Sequence, residues 1–494
     1  MDRYDRGRYW PGLLFPAILL CDCGRAPPDL APNDVVPSRQ QLEYQKMEFI
    51  GFVHFTVNTF TDREWGFGDE SPDVFNPSQF DADQWARIAA EVGMGELILT
   101  AKHHDGFTLW PSRFTEHSVK NSTWRGGAGD VVAEFVAACR RHGIKAGFYL
   151  SPWDRNHAEY GSPAYLTYYH NQLRELLTGY GEITEMWFDG ANGGTGYYGG
   201  ANEERRIDQA TYYEWDTTWA LVKSLQPDVL IFSDAGPDIR WIGNERGLAG
   251  ETNWSTINTD GIIVGQADAA YLNTGDPHGA KWVVPLCDTS IRPGWFYHSH
   301  EDDQVKTPQD LVQIYYGSVG RNCVLLLNIP PDRRGLFHED DIAALREFRQ
   351  ILDETFAMNL AEGKSVAADT HRGRNPKFAP ANLLDADPDS YWADDDGARQ
   401  AVLEIDLVDD VQFDRIMLQE PIRLGQRIAA FAIEARTGGE WTLIARGTTI
   451  GYKRLLQIPA VTADRVRILI EQANNVPALS NFGLFKASIR ESAE

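Results

Sequence analysis

The stretch MWFDG, residues 186–190, decides the fold of this 494-residue chain. Its apolar residues indicate the end of a buried strand, and the carboxylate of Asp189 follows where that strand should stop. Burying an unpaired aspartate costs several kcal/mol, so an aspartate at this position indicates a functional role. A second apolar run ends in the same way in residues 97–107, LILTAKHHDGF. Two strand ends that carry polar side chains predict an active site at the C-terminal ends of parallel strands.

Strands and helices alternate on both sides of this stretch, from about residue 48 to residue 360. Strands that are separated by helices pair in parallel through right-handed crossovers. Seven or eight such units in ~310 residues fit a (β/α)8-like (TIM) barrel, and the fold class is therefore α/β. A doubly wound sheet is less favoured, because no glycine-rich dinucleotide or P-loop fingerprint follows the first strand.

The predicted strands are 49–55, 95–101, 145–150, 183–188, 229–232 and 323–329, and the pattern blurs between about 250 and 300. The predicted helices are 83–92, 130–142, 163–180, 209–225, 310–319 and 340–356. Asp81 or Asp83 is expected to cap the first of these helices.

The pattern of polar and apolar residues changes after residue 360. Short segments of alternating polarity, such as 401–407, 415–418 and 465–470, recur with turn signals between them. This pattern predicts an all-β sandwich. We therefore expect a signal-like segment and linker in 1–40, a catalytic barrel in 41–360 and a β-sandwich domain in 361–494.

The charge balance limits the classes of partner. Lys and Arg number 46 against 71 Asp and Glu, which gives a net charge of −25. This charge argues against nucleic acid and anionic membrane surfaces as partners, because phosphate backbones need a basic footprint. The chain also has 15 Trp, and aromatic faces bind the C–H surfaces of sugars, although large aromatic cores explain this content equally well.

The first residues are typical of a targeting segment. Three arginines precede an apolar run at 13–20, which suits an export signal and is too short to span a bilayer. Cys21 follows directly, as in a bacterial lipoprotein signal, so a lipid anchor there is an open alternative. We expect an exported protein, periplasmic, at the cell surface or secreted. The competing interpretation is a disordered leader on a cytoplasmic protein.

Cysteine and histidine spacing gives little support to a metal site. Cys139, Cys287 and Cys323 are scattered, and no spacing indicates a zinc site or a disulfide framework, so we expect free thiols in the core. His103 and His104 are adjacent, whereas zinc sites on strands favour His-x-His because neighbouring side chains point to opposite faces. We therefore predict no metal at the active site.

Polar or aromatic side chains follow each of the first four strands: His54, the pair His103 and His104, Trp153, and Asp189. Neutral imidazoles that bind sugar hydroxyls fit this set better than metal ligands do. Asp189 suits a nucleophile, although it could also cap its own turn. Retaining glycoside hydrolysis needs a second, protonated carboxyl group ~5 Å from the nucleophile. The candidates after the fifth strand are Asp234, Asp238, Glu245 and Glu251.

The chain resembles the α-L-fucosidases of glycoside hydrolase family 29 over about residues 44–360. The motifs are His54 in the first strand, REWG at 63–66, AKHHDGF at 101–107, YLSPWD at 149–154 and WFDG at 187–190. The resemblance implies that Asp189 is the nucleophile that forms a covalent fucosyl-enzyme. It also implies that fucose is held by His54, Glu64, Trp65, His103 and His104.

Residues 236–245, GPDIRWIGNE, and 291–297, IRPGWFY, resemble the branch of this family that is selective for α-1,3/1,4 linkages. In that branch the Glu of Gly-Asn-Glu is the general acid/base, which is Glu245 here, with Glu251 as the reserve candidate. Trp153, Arg240 and Trp295 are expected as further substrate contacts. Trp295 could meet the C6 methyl group of fucose or belong to barrel packing. No cofactor is expected for catalysis.

The C-terminal segment resembles the discoidin, or factor 5/8 type C, fold through residues 381–385, 391–392, 403–407 and 447–452. Several such domains bind galactose-type sugars and a structural Ca²⁺. Asp385, Asp387 and Asp389 alternate in a way that suits a hard cation, and they equally suit a solvated acidic turn. Structural support for the barrel is the alternative role of this domain.

The resulting hypothesis is an exported, retaining α-1,3/1,4-L-fucosidase that acts on fucosylated oligosaccharides or glycoconjugates with Lewis-type termini. The first alternative is a catalytically inactive protein that binds fucose or galactose. The second is metal-dependent hydrolysis at the histidine pair.

Overall fold

The computed structural model describes residues 29–491, except residues 386 and 388. The predicted signal segment and Cys21 lie outside the described residues. No helix within the described part of the chain is long and apolar enough to cross a membrane.

Eight parallel strands close into a barrel, which confirms the predicted fold class. Each strand pairs with its neighbours in the sequence, and β1 also pairs with β8 to complete the ring. The strands are β1 Phe49–Val53, β2 Glu96–Lys102, β3 Lys145–Leu150, β4 Glu185–Trp187, β5 Leu230–Ser233, β6 Ile239–Trp241, β7 Val284–Ser290 and β8 Val324–Asn328.

Helices surround this ring. Asp81 caps α1 by accepting hydrogen bonds from Asp83 N and Gln84 N, which confirms the first of its two predicted caps. The main helices are α1 Ala82–Glu91, α2 Val131–Arg141, α3 Pro163–Gly179, α4 Trp215–Leu225, α5 Pro308–Gly317 and α6 Glu339–Phe356. Shorter helices are Arg39–Gln45, Val57–Thr61 and Ala269–Thr274.

The second half of the barrel departs from the simple alternation of strand and helix. Strand β6 follows β5 after residues 234–238 alone, with no helix between them. The connection folds back against β5, because Asp238 N donates a hydrogen bond to Ile231 O in the middle of that strand. The predicted strands included neither β6 nor β7.

One expectation about cysteine is wrong. Cys287 on β7 and Cys323, directly before β8, form a disulfide, and Cys139 alone is a free thiol among the described residues. The two bonded cysteines are separated by 36 residues in the sequence. The parallel pairing of β7 with β8 brings the two cysteines together, and linear spacing does not reveal that proximity.

The C-terminal domain is an antiparallel β structure with its own core, as predicted. Its two long strands carry register shifts, which bend the sheet over that core. The strands are β9 Ser365–Ala368, β10 Ala401–Gln419, β11 Ile428–Thr437, β12 Glu440–Gly447, β13 Arg454–Ala473 and β14 Asn481–Phe485. They run in the order β9-β10-β13-β11-β12, and β14 pairs with β10.

Candidate active site

The register of the barrel strands decides which side chains enter the site. Successive side chains in a strand point to opposite faces, so residues two apart share a face. Phe52 of β1 belongs to the core inside the barrel, and His54 comes two residues later. The same step leads from Trp187, which also lies in the inner core, to Asp189. The polar residues at these strand ends therefore converge at one opening.

These residues surround a cavity of about 370 Å³ at the C-terminal ends of the strands. Its lining is formed by Phe52, His54, Glu64, Trp65, His103, His104, Tyr149, Trp187, Asp189, Ala191, Glu245, Asp288 and Trp295. Eight of the ten residues predicted for catalysis or substrate binding are in this set, and Trp153 and Arg240 are not.

The carboxylate of Asp189 is held by donors on both oxygens. Ala191 N donates to Oδ1 at 2.6 Å, and the Tyr149 hydroxyl donates to Oδ2 at 3.1 Å. His104 Nε2 lies 4.0 Å from Oδ2. Burial raises the pKa of Asp189 above its usual range, and the two donors oppose this effect because they favour the ionised form. The arrangement fixes one carboxylate that faces the cavity.

Glu245 approaches the cavity from the loop after β6. Trp295 Nε1 donates to its Oε2 at 3.3 Å. Partial burial raises the pKa of Glu245, the bond from Trp295 opposes that rise, and the charges of Asp189 and Glu64 add to it. A carboxyl group that keeps its proton toward neutral pH can act as a general acid.

The other three carboxyl groups that follow β5 are occupied elsewhere. Asp234 accepts a hydrogen bond from Gly265 N at 2.6 Å, and burial raises its pKa to about 6. Asp238 lies 2.8 Å from Lys223 Nζ in an ion pair. Glu251, the reserve candidate, pairs with arginine side chains at the boundary with the C-terminal domain. Of the four candidates, only Glu245 lines the cavity.

The three histidines of the cavity are neutral at physiological pH. Burial lowers the pKa of His54 and of His104 to about 3, and it also lowers the pKa of His103 well below its usual value. His54 Nδ1 lies 2.8 Å from Asn328 Oδ1, and His104 Nδ1 lies 2.7 Å from Ser151 Oγ. These partners orient the rings, so their other edges can bind hydroxyl groups.

Glu64 connects two loops at the rim of the cavity. Its carboxylate accepts hydrogen bonds from Trp295 N at 2.8 Å and from Phe296 N at 3.0 Å. His298 Nε2 lies 2.8 Å from Glu64, and its Nδ1 lies 2.7 Å from Asp62. Burial disfavours the charged imidazole, but the two carboxylates prevail and raise the pKa of His298. Glu64 therefore fixes the loop that carries Trp295.

Asp288 is a further carboxyl group inside the cavity, and it was not among the residues predicted from the sequence. It lies on β7 two residues after Leu286, an inner core residue, and Trp241 Nε1 donates to its Oδ1 at 2.9 Å. Burial raises the pKa of Asp288 well above its usual value, and the charge of Glu245 adds to this effect. The signal that could have found it is a carboxylate that interrupts the inward face of an apolar strand.

The predicted tryptophans take different positions. Trp65 is 54% exposed, and it meets His104 and Trp153 edge to face with ring centroids 5.4 and 5.7 Å away. Trp153 is buried behind the lining, where its ring lies 5.0 Å from the ring of His104. Trp295 lies against His54, with centroids 5.2 Å apart, and it also lines the cavity. Trp153 thus supports the lining from behind.

Arg240 does not reach the cavity. It is fully buried and donates to Val283 O at 2.6 Å, to Trp254 O at 2.7 Å and to Asn253 Oδ1 at 3.0 Å. Its strand neighbours Ile239 and Trp241 face the inside of the barrel, so alternation turns Arg240 to the outside. The expected substrate contact is replaced by a contact that supports a loop.

The alternative of a metal at His103 and His104 finds no support among the described residues, because this pair belongs to no group that brings three ligand atoms together. Within residues 29–491, masked positions aside, Asp62, His298 and His300 alone bring three ligand atoms together. Both ring nitrogens of His298 already contact carboxylates. In the C-terminal domain, Asp385 accepts a hydrogen bond from Asp387 N, and Asp387 accepts one from Asp389 N, as in a turn.

Comparisons with known proteins agree with this geometry. The α-L-fucosidase family model matches residues 35–355, and the F5/8 type C domain model matches residues 365–482. Arabidopsis thaliana α-L-fucosidase 1 is 46% identical over 463 residues, which cover 93% of this chain and 89% of that protein.

Two solved structures extend the comparison to the fold. A glycoside hydrolase 29 family member from an unknown rumen bacterium is 43% identical with a TM-score of 0.84, over 94% of this chain and 80% of that one. A Ruminococcus gnavus fucosidase of the same family, solved in complex with fucose, is 34% identical with a TM-score of 0.85, over 95% and 98%.

Proposed function

Because the chain belongs to the α-L-fucosidase family and is a glycoside hydrolase, we propose that it is a retaining exo-enzyme that removes α-1,3/1,4-linked fucose from branched, Lewis-type glycans. The observation that carries this proposal is that Asp189 and Glu245 are two carboxyl groups that line one cavity at the ends of the barrel strands. Burial raises the pKa of both groups. Asp189 accepts a hydrogen bond on each oxygen, which favours its ionised form, whereas Glu245 accepts one bond and the charges of Asp189 and Glu64 raise its pKa further.

The chemistry is a double displacement. Asp189 attacks C1 of the fucoside while Glu245 gives its proton to the departing glycosidic oxygen, and a fucosyl-Asp189 ester forms. Glu245 then takes a proton from water, which attacks C1, breaks the ester and releases fucose with its original configuration. Members of this family need no cofactor for catalysis.

The remaining lining suits a 6-deoxy sugar. His54, His103 and His104 are neutral and can donate to or accept from ring hydroxyls. Glu64 and Trp65 border the same space, and Trp295 offers an apolar face for the C6 methyl group. A hydrophobic contact with this methyl group would favour fucose over sugars that carry a polar C6 hydroxyl.

The nucleophile is tested with Asp189→Ala. We expect this variant to lose release of fucose from an aryl α-L-fucoside, and added azide to restore turnover with an inverted fucosyl azide as product. The matched control is Asp238→Asn, which removes a carboxylate outside the cavity and should neither lose activity nor respond to azide. Near wild-type hydrolysis by Asp189→Ala would overturn the assignment.

The acid/base is tested with Glu245→Ala. An aryl fucoside with a good leaving group needs no proton, so its first step should survive, whereas cleavage of a fucosylated trisaccharide should fall by a factor of about 10²–10⁴. Azide should now trap the fucosyl-enzyme and give a retained azide product. Equal losses on both substrates would contradict the role of Glu245.

The linkage is tested by product analysis on α-1,2, α-1,3, α-1,4 and α-1,6 fucosides. Rapid release from the α-1,3 and α-1,4 compounds alone supports the proposed branch, and comparable release from all four refutes it. A protein that binds the α-1,3 and α-1,4 fucosides without releasing fucose would instead be the inactive binding protein.

We also propose that the protein is exported. Disulfides persist in oxidising compartments, and the bond between Cys287 and Cys323 supports this localisation. Recovery outside the cytoplasm is expected on fractionation, and release from the membrane by Cys21→Ser would reveal a lipid anchor. Calcium at the turn of Asp385 stays a prediction, which a rise in Tm on adding calcium, absent in Asp385→Asn, would support.

A further inference from the structure

The connection between β6 and β7 carries Glu245, and its residues 251–255 lie against the C-terminal domain. Thr449 Oγ1 accepts a hydrogen bond from Asn253 N at 2.9 Å. The side chain of Gln426 accepts from Ser255 N at 2.9 Å and donates to Asn253 O at 3.0 Å. Thr449 and Gln426 are both buried. The C-terminal domain thus satisfies backbone groups of a barrel loop, and these groups would otherwise need other partners.

Two further side chains of the same domain bind the loop at Glu251. Thr448 Oγ1 donates to Glu251 O at 2.9 Å, and Arg454 Nη1 donates to the same carbonyl at 2.8 Å. The other terminal nitrogen of Arg454 pairs with the Glu251 carboxylate. Arg454 is buried, whereas the Glu251 side chain is 63% exposed, so the bond to the Glu251 carbonyl is the better shielded of the two.

The barrel holds the loop from the opposite side. Arg240 donates to Trp254 O and to Asn253 Oδ1 from within the barrel wall. Residues 251–255 therefore lie between a buried arginine of β6 and the side chains of the C-terminal domain.

Only a few residues separate the segment 251–255 from Glu245, and two of them are bonded to the barrel. Ala249 accepts a hydrogen bond from Arg321 Nη1 at 2.8 Å, and Gly247 N donates to Asp288 O at 2.9 Å. The Glu245 carboxylate itself has one side-chain bond, the 3.3 Å contact from Trp295. Its position in the cavity therefore depends on the backbone of its loop.

The nucleophile has no comparable dependence. Asp189 follows β4 and is held by Ala191 and Tyr149, which both belong to the barrel. A disturbance at the domain boundary should thus displace one of the two carboxyl groups and leave the other in place. This asymmetry separates a positioning role from a general loss of stability.

We propose that the C-terminal domain positions the acid/base: Thr449, Gln426 and Arg454 hold the loop so that Glu245 meets the glycosidic oxygen. This inference rests on the proposed role of Glu245. The domain then contributes to catalysis through geometry alone, without touching the substrate.

The test compares Thr449→Val, which deletes the acceptor for Asn253 N, with Thr449→Ser, which keeps it. For Thr449→Val we expect kcat/KM on a fucosylated trisaccharide to fall about tenfold, because a small displacement of the general acid from the glycosidic oxygen slows proton transfer. On an aryl fucoside with an activated leaving group, kcat/KM should stay within about twofold, because departure needs no proton. Thr449→Ser should resemble the wild type on both substrates.

Ile468→Val is the control for stability, because it loosens the core of the C-terminal domain away from the loop. Equal losses on both substrates for Thr449→Val, or the same split between substrates for Ile468→Val, would overturn the inference. Glu245→Ala is measured in parallel. If it shows the split and Thr449→Val does not, the inference alone fails, whereas absence of the split in Glu245→Ala removes the proposed function as well.

Discussion

Two carboxyl groups are enclosed where the barrel strands begin, and they predict an unusual dependence of stability on pH. Glu96 and Glu185 open β2 and β4, and both are fully buried. Burial raises the pKa of Glu185 from its ordinary 4.5 to about 8. The Tyr44 hydroxyl faces Glu185 and favours its ionised form, which opposes the effect of burial. Burial and the charge of Glu185 raise the pKa of Glu96 in the same direction.

The sign and size follow from linkage. Between pH 4.5 and about 8 the folded protein keeps the proton of Glu185, whereas the unfolded chain has lost it. The unfolded state then binds fewer protons, so the free energy of unfolding falls as pH rises through this window. A shift of about 3.5 units at 1.36 kcal/mol per unit gives on the order of 5 kcal/mol as the ceiling for this group.

Glu185→Gln replaces the acid by a group that is neutral at every pH. Chemical denaturation of both proteins at pH 5, 6, 7 and 8 should show the wild type losing more stability than the variant, by at most about 3–4 kcal/mol over the range. Glu203→Gln, on an exposed hairpin, is the matched control and should follow the wild type. Parallel curves for wild type and Glu185→Gln would refute the reasoning, because they would mean that the folded protein does not hold the Glu185 proton.

Three further changes have defined outcomes. Glu64→Gln keeps one carbonyl oxygen where three donors now bind, so we expect weaker inhibition by fucose and a KM raised about tenfold, and unchanged binding would contradict its role at the rim. Asp288→Asn mimics the protonated acid, so the alkaline limb of the kcat/KM profile should not move, whereas a shift to lower pH would reveal an ionised Asp288. Cys287→Ser opens the 36-residue loop to Cys323 and should lower the free energy of unfolding by about 4 kcal/mol, and an unchanged Tm would argue against the disulfide.

The sequence predicted six of the eight barrel strands, and the two that it missed lack a long apolar run. Strands β1 to β3 each have at least five residues and end in polar groups, so they and their site residues stand out. Strand β6 has three residues and an arginine at its centre, which hid it. Strand β7 contains Pro285 and Asp288, which made an interior strand resemble a loop.

The site itself was predicted where a motif and the register agree. His54 and Asp189 lie two residues beyond inner core residues, so periodicity and resemblance lead to the same prediction. Arg240 shows the opposite case, because the motif suggested a contact that alternation along β6 excludes. The contacts between the loop of Glu245 and Thr449 join residues about 200 positions apart, and no local pattern reports such a pairing.

The short helix Arg39–Gln45 has a practical consequence for handling the protein. Gln41 donates to Asp238 O, directly before β6, and to Trp282 O, two residues before β7. The helix therefore covers the N-terminal end of the barrel. Residues 31–33 continue along the C-terminal domain through Arg427 and Leu424. A shortened version of the protein should therefore retain Arg39–Gln45, because removal of this helix would uncover the backbone groups that Gln41 binds.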